Sequence, residues 1–121
     1  MFLSLNHKEL PFYQAARALT LTVYSITAKF PNKEEYNLVR QINRAVISVH
    51  LNLAEGSSRS SILERRRFYE IARGSLVEID AAMDLANELG YLEGIETKQL
   101  NIGLNTCFKH TSNLIASCQK K

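Results

Sequence analysis

The segment that most limits the fold runs from Glu34 to Gly56, because it carries two apolar strips at helical spacing. At about 100° per residue, Leu38, Ile42, Ala45, Val46, Val49 and Leu53 gather on one side of a helix. Ile47, Leu51 and Ala54 fall on roughly the opposite side. A lone helical hairpin leaves that second strip in water, so it is expected to pack inside a larger assembly of this chain. Scattered apolar surface residues, which need no partner, are the plainer alternative.

Between the strips lies a polar column of Gln41, Arg44, Ser48, Asn52 and Glu55. Its short members allow close helix approach, and the small residues Ala72, Gly74 and Ser75 offer a matching surface further along. Hydrogen-bonded helix packing is one reading of the column, and a ligand or RNA groove is the other.

Three further helices frame this one. Ala15, Ala16, Leu19, Val23, Ile26 and Phe30 recur at three- and four-residue intervals and predict a helix over about 8 to 29. Phe30-Pro31 ends it, since a residue before proline is pushed out of helical geometry. Asn32 with Glu35 reads as a capping box opening the second helix, which lasts to Gly56. Ser61 with Glu64 repeats that arrangement for a third helix. Phe68, Ala72, Ser75, Ile79, Ala82, Met83, Ala86 and Leu89 form its stripe as far as Gly90. Leu100, Leu104, Cys107, Thr111, Leu114, Ile115 and Cys118 mark a fourth helix over about 96 to 119. Short connections make neighbours antiparallel, so the expected fold is all-α: an up-down-up-down four-helix bundle.

The chain's 121 residues, 45% of them hydrophobic, suit a single domain over 1–121. Its apolar stretches are too short and too interrupted by charge to cross a bilayer, and Met1 to Leu5 lacks the marks of a secretory signal. A cytoplasmic location and no membrane partner are therefore expected. Cys107 and Cys118 lie about 16 Å apart along one helix face, too far to bridge within one chain, and read as buried reduced thiols, with an interchain disulfide or a redox role as the alternative.

The net charge of +3 is unevenly laid out. Seven arginines fall between Arg40 and Arg73, and six acids with no base between Glu78 and Glu96. One reading is a solvated face with local ion pairs such as Arg66 with Glu70. The other is an anion-binding surface.

Motifs for catalysis are missing. No acid has histidine three residues on, as a di-iron bundle requires, and only Cys107 with His110 shares a helical turn. There is no Walker loop, nucleophile elbow or dinucleotide fingerprint. No catalytic residue, metal, cofactor or small-molecule substrate is expected, and the chain reads as a non-enzyme.

One set of residues carries a family likeness: Phe30-Pro31, Glu34 or Glu35, Leu38, Gln41-Ile42, Arg44-Ala45, Ser48, Asn52, Ala54-Glu55-Gly56, Arg59, Phe68, Ile71-Ala72-Arg73-Gly74-Ser75 and Glu78. Leu10 to Ala16 and Leu89-Gly90-Tyr91-Leu92 extend it more weakly over nearly the whole chain. In these residues the chain resembles the small four-helix-bundle proteins of intervening sequences within bacterial large-subunit ribosomal RNA genes. The resemblance implies an up-down-up-down bundle that assembles into a ring, as a homopentamer, with no established biochemical activity.

That family is similar in fold to the accessory variability protein of diversity-generating retroelements, a basic ring that contacts a reverse transcriptase and nucleic acid. The acidic end of the third helix departs from that strongly basic character. The expected function is a homo-oligomeric interaction module with RNA or an RNA-associated protein as partner. Arg40, Arg44, Arg59, Arg65, Arg66, Arg67 and Arg73 are the candidate contacts, since arginine pairs with phosphate and stacks on bases. Ile47, Leu51 and Ala54 are the candidate oligomer interface, and Gln41, Ser48, Asn52 and Glu55 the column between helices. The alternative is a structural oligomer or protein adaptor that binds no nucleic acid.

Overall fold

The computed structural model describes residues 2–118. Four α-helices, α1 (Pro11–Thr27), α2 (Leu38–Ser57), α3 (Ile62–Glu88) and α4 (Lys98–Ser117), make an antiparallel up-down-up-down bundle. Each packs on its neighbours in sequence, and α4 closes the square against α1. No strand occurs among the described residues.

The expected stripes point into one core. Ala16, Leu19, Val23, Ile26 and Phe30 of the first segment are buried, with Phe12 added. From α2 come Ile42, Ala45, Val46, Val49 and Leu53, and from α3 Ala72, Leu76, Ile79, Met83 and Ala86. Leu100, Cys107, Thr111 and Ile115 complete it from α4. Three positions of the α3 stripe differ from expectation: Leu89 is exposed, Ala82 is half-buried at the core's edge, and the buried ring at the start of α3 is Tyr69 while Phe68 is half-buried. Leu89 follows the last helical residue, where the chain has already left the core-facing phase.

Helix ends follow local chemistry. Pro11 begins α1, where its missing N–H costs nothing. Ser61 Oγ accepts from the Glu64 amide at 3.3 Å, as its spacing predicted. Gly90, at φ +82°, ends α3: its amide donates to Asn87 O and that of Tyr91 donates back to Ala86 O, each at 3.0 Å.

The start of α2 corrects the sequence reading. Asn32 and Glu35 form no capping box; Asn32–Glu34 is a short 3-10 turn and the α-helix begins only at Leu38. Glu34 does the capping, its Oε1 accepting from the Leu38 amide at 3.3 Å and from Asn37 Nδ2 at 3.2 Å. Its other oxygen accepts a 2.7 Å hydrogen bond from Tyr91 Oη. Tyr91 lies in the α3–α4 loop and packs on Phe30, so a contact remote in sequence fixes where α2 begins. The expected end of the fourth helix, at 119, lies outside the described residues.

Candidate interaction surfaces

The bundle presents different chemistry on its different sides. Between α2 and α3 the polar column closes into a joint. Ser75 Oγ donates to Ser48 Oγ at 2.9 Å, and Asn52 Nδ2 donates to the same oxygen at 3.0 Å and to Ser48 O at 2.8 Å. These bonds satisfy groups that helix packing would otherwise strand. Gly56 lets the helices meet beyond them: a Cβ there would stand 2.8 Å from Tyr69 Cε1. Its φ is not positive, so space and not backbone conformation explains this glycine.

The column opens at its other end. Gln41, Arg44, Ala45, Ser48, Ser75 and Glu78 frame a groove of about 300 Å³. Glu55 leaves the column and pairs with Arg59 one turn on. Gly74, expected to serve the same joint, instead faces outward with no atom within 4 Å of a Cβ placed on it.

On the side shared by α1 and α2, Ile47 and Leu51 are exposed, Leu51 to 60%. With Leu21, Thr20, Arg17 and His50 they line an apolar groove of about 140 Å³. Ala54 is half-buried and leaves the rim to Ile47 and Leu51. Leu21 was missed in the sequence because it lies off the core phase of α1; its phase relative to Leu19 and Val23 was the available signal. His50 stacks at 4.5 Å on Tyr13, which meets His7 at 5.1 Å. Burial, then Arg17 and His7, hold the His50 pKa below its usual value.

The seven arginines do not share one surface. Arg59, Arg65, Arg66 and Arg67 collect at the α2–α3 turn. Arg59 lies over the Phe68 ring at 5.0 Å, and Arg66 Nε donates to Glu70 at 3.1 Å. Arg73 faces α4, donating to Ser112 Oγ at 3.3 Å. Arg40, 5.7 Å over the Tyr36 ring, and Arg44 sit toward the opposite end of α2. Arg44 and Arg59, fifteen positions apart, are separated by about 22 Å along the direction of α2. Arg67 is exposed, while Arg59 and Arg65 each keep a shielded Nε with no partner among the described residues.

The layout of charge on α3 opposes its own dipole. Three consecutive arginines occupy its first turns, whereas Asp84 and Glu88 lie near its carboxyl end. Apart from Glu64 in the first turn, which suits the helix start, these charges stand where the macrodipole disfavours them. At the acidic end Asp80, Asp84, Glu96 and Lys98 border a groove of about 440 Å³. No cluster of three or more metal-ligating side chains occurs among the described residues. Cys107 is a buried free thiol whose pKa burial pushes up to about 12, a poor nucleophile at neutral pH, whereas Cys118, expected to be buried as well, is a free thiol only half-buried at the end of α4. No helix among the described residues is long and apolar enough to cross a membrane.

Residues 8–113 match the family model for the 23S rRNA-intervening sequence protein, and the chain belongs to that family. No curated protein matches it.

Proposed function

We propose that this member of the 23S rRNA-intervening sequence protein family is a non-enzymatic, cytoplasmic, homo-oligomeric interaction module. The observation that carries the reading is the apolar groove between α1 and α2, where Leu21 and Leu51 are more than half exposed. Burying it against another copy removes that surface from water. α4, which lies diagonal to α2, exposes Ile102 and Phe108. A head-to-tail contact between unlike faces closes into a ring when its rotation divides a full turn, and five copies is the number the family likeness implies. Sedimentation of Leu51→Glu tests the groove: the variant should remain helical and lose mass, whereas an unchanged particle removes the reading.

The turn end, with Arg59, Arg65, Arg66 and Arg67, is the proposed contact for RNA or an RNA-associated protein. RNA binding should weaken steeply between low and moderate salt and fall when Arg65, Arg66 and Arg67 become alanine. Absence of affinity at low salt rejects RNA as the partner. The Arg59–Glu55 and Arg66–Glu70 pairs favour a second reading, a structural oligomer or adaptor whose arginines serve protein contacts alone.

A further inference from the structure

The outward face of α3 is not the plain polar surface a solvent-facing helix should have. Leu63, Ile71, Val77 and Leu85 are exposed to between 45% and 77%, and all fall within about 60° of Gly74 around the helix. Gly74 is mid-helix, helical in φ, and touches nothing, although glycine costs about 1 kcal/mol there relative to alanine. Nothing inside the protomer accounts for it.

These residues are arranged symmetrically about Gly74. Leu63 and Leu85 stand eleven residues to either side, and Ile71 and Val77 three. Laid antiparallel on a second α3 with the two glycines at the crossing, each leucine meets its counterpart and the Ile71 and Val77 side chains flank the close point. Small residues at a crossing allow helix backbones to approach.

The charges suit the same arrangement. At about 100° per residue Arg67 and Glu78 fall about 20° and 40° from Gly74 toward the α2 flank, among the apolar residues, while Arg66 and Asp84 both fall about 80° away on the α4 flank. A two-fold axis through the crossing sets each flank against the same flank of the other copy. Arg67, seven residues before Gly74, then stands within about 4.5 Å in height of Glu78 of the second copy, and Arg66 within about 3 Å of Asp84. Both pairs are made twice, the second with Arg66 shared between Asp84 of the other copy and its own Glu70, to which its Nε donates. The order that opposes the helix dipole becomes favourable, because each basic half meets an acidic half.

We infer that the outward face of α3 is a two-fold docking surface for α3 of a second copy, antiparallel and crossing at Gly74. This goes beyond the groove contact proposed above and stands without it.

The test is a cysteine on the symmetry axis. Gly74→Cys, in a Cys118→Ser background, should be oxidised to a covalent dimer much faster than a control cysteine at exposed Asn105 on α4. The Gly74→Cys result should persist when Leu51→Glu is added. Crosslinking no faster than the control overturns the two-fold. Retained crosslinking after the groove-dependent mass is lost supports the two-fold independently of the groove.

Charge exchange supplies the second measurement. By sedimentation in the Leu51→Glu background, Arg67→Glu should weaken the dimer by about tenfold. Adding Glu78→Arg should recover most of that loss. Failure of the double variant to recover, with helicity unchanged, removes the assigned register.

Discussion

Alanine at Gly56 and alanine at Gly74 should move stability in opposite directions, although both glycines sit inside helices. A Cβ on Gly56 would lie 2.8 Å from Tyr69 Cε1, 3.0 Å from Cδ1 and 3.1 Å from Phe68 Cβ. Carbon atoms rest at about 3.5–4.0 Å, so the ring must withdraw by about 0.7 Å or more. Tyr69 is buried, with its hydroxyl 3.4 Å from Ser57 Oγ, and cannot swing aside without opening the α2–α3 joint.

Overpacking costs about 1–3 kcal/mol, and the gain in helix propensity returns at most about 1. Gly56→Ala should therefore lose about 1 kcal/mol net. At Gly74 there is no clash, and the same propensity stabilises the protomer by close to 1 kcal/mol. The two variants should differ by about 2 kcal/mol, or about 8 °C in Tm for a chain of this length. Urea denaturation followed by far-UV circular dichroism measures the difference. It is run at one low protein concentration, because the proposed self-association would add its own stabilisation. A Gly56→Ala protein as stable as Gly74→Ala would refute the close contact of Gly56 with Tyr69.

Thr111 is fully buried and its Oγ1 has no partner among the described residues, so Thr111→Val should stabilise by about 1 kcal/mol; an unchanged or lower urea midpoint counts against this. Gly90→Ala forces a side chain into φ +82° and should lose about 1 kcal/mol, read in the same assay. His50 has a folded pKa below its unfolded value, so the folded state binds fewer protons. Its contribution is whole above about pH 6.5 and is lost as pH falls below that; His50→Gln should flatten this part of a Tm-against-pH profile. Glu34 is also lowered, chiefly by the hydrogen bond from Tyr91, so its contribution is present above about pH 4.5 and lost as pH falls through the folded value. Tyr91→Phe should make that acid limb shallower, and an unchanged limb argues against the link.

The core was legible in the sequence because burial follows helical periodicity: Ile42, Val46, Val49 and Leu53 are buried where their spacing put them. Local capping was legible at Ser61, whose partner is three residues away. The start of α2 was not, because Glu34 answers to Tyr91, fifty-seven residues distant, and no local pattern encodes that contact. Gly56 and Gly74 look alike in sequence as glycines within helices. Only the neighbouring chain separates them, one pressed on Tyr69 and the other facing open space. The polar column was visible as a column, but its division into a bonded joint at Ser48 and Asn52 and an open groove at Gln41 and Arg44 depends on where Ser75 lies.

The arginines illustrate how antiparallel topology rearranges a linear charge pattern. Between residues 40 and 73 the chain reads as one basic tract, but α2 and α3 run in opposite directions and the Ser48–Ser75 bond sets their register. Arg44 is thereby carried to the acidic half of α3, where it shares a groove with Glu78, and the turn end keeps Arg59, Arg65, Arg66 and Arg67. A polyanion spanning both groups would have to cross about 22 Å of helix. A contact confined to the turn needs no such length, but it draws on Arg66 and Arg67, the same side chains that the α3 pairing sets against Asp84 and Glu78 of a second copy. If the turn alone binds RNA, Arg40→Ala and Arg44→Ala should leave the salt dependence of binding unchanged, while each arginine removed at the turn should lower its slope by close to one phosphate contact, about 0.7 for a single strand. An equal effect at both ends would require the nucleic acid to run along the α2–α3 groove; in either case RNA would compete with the self-pairing of α3 for Arg66 and Arg67.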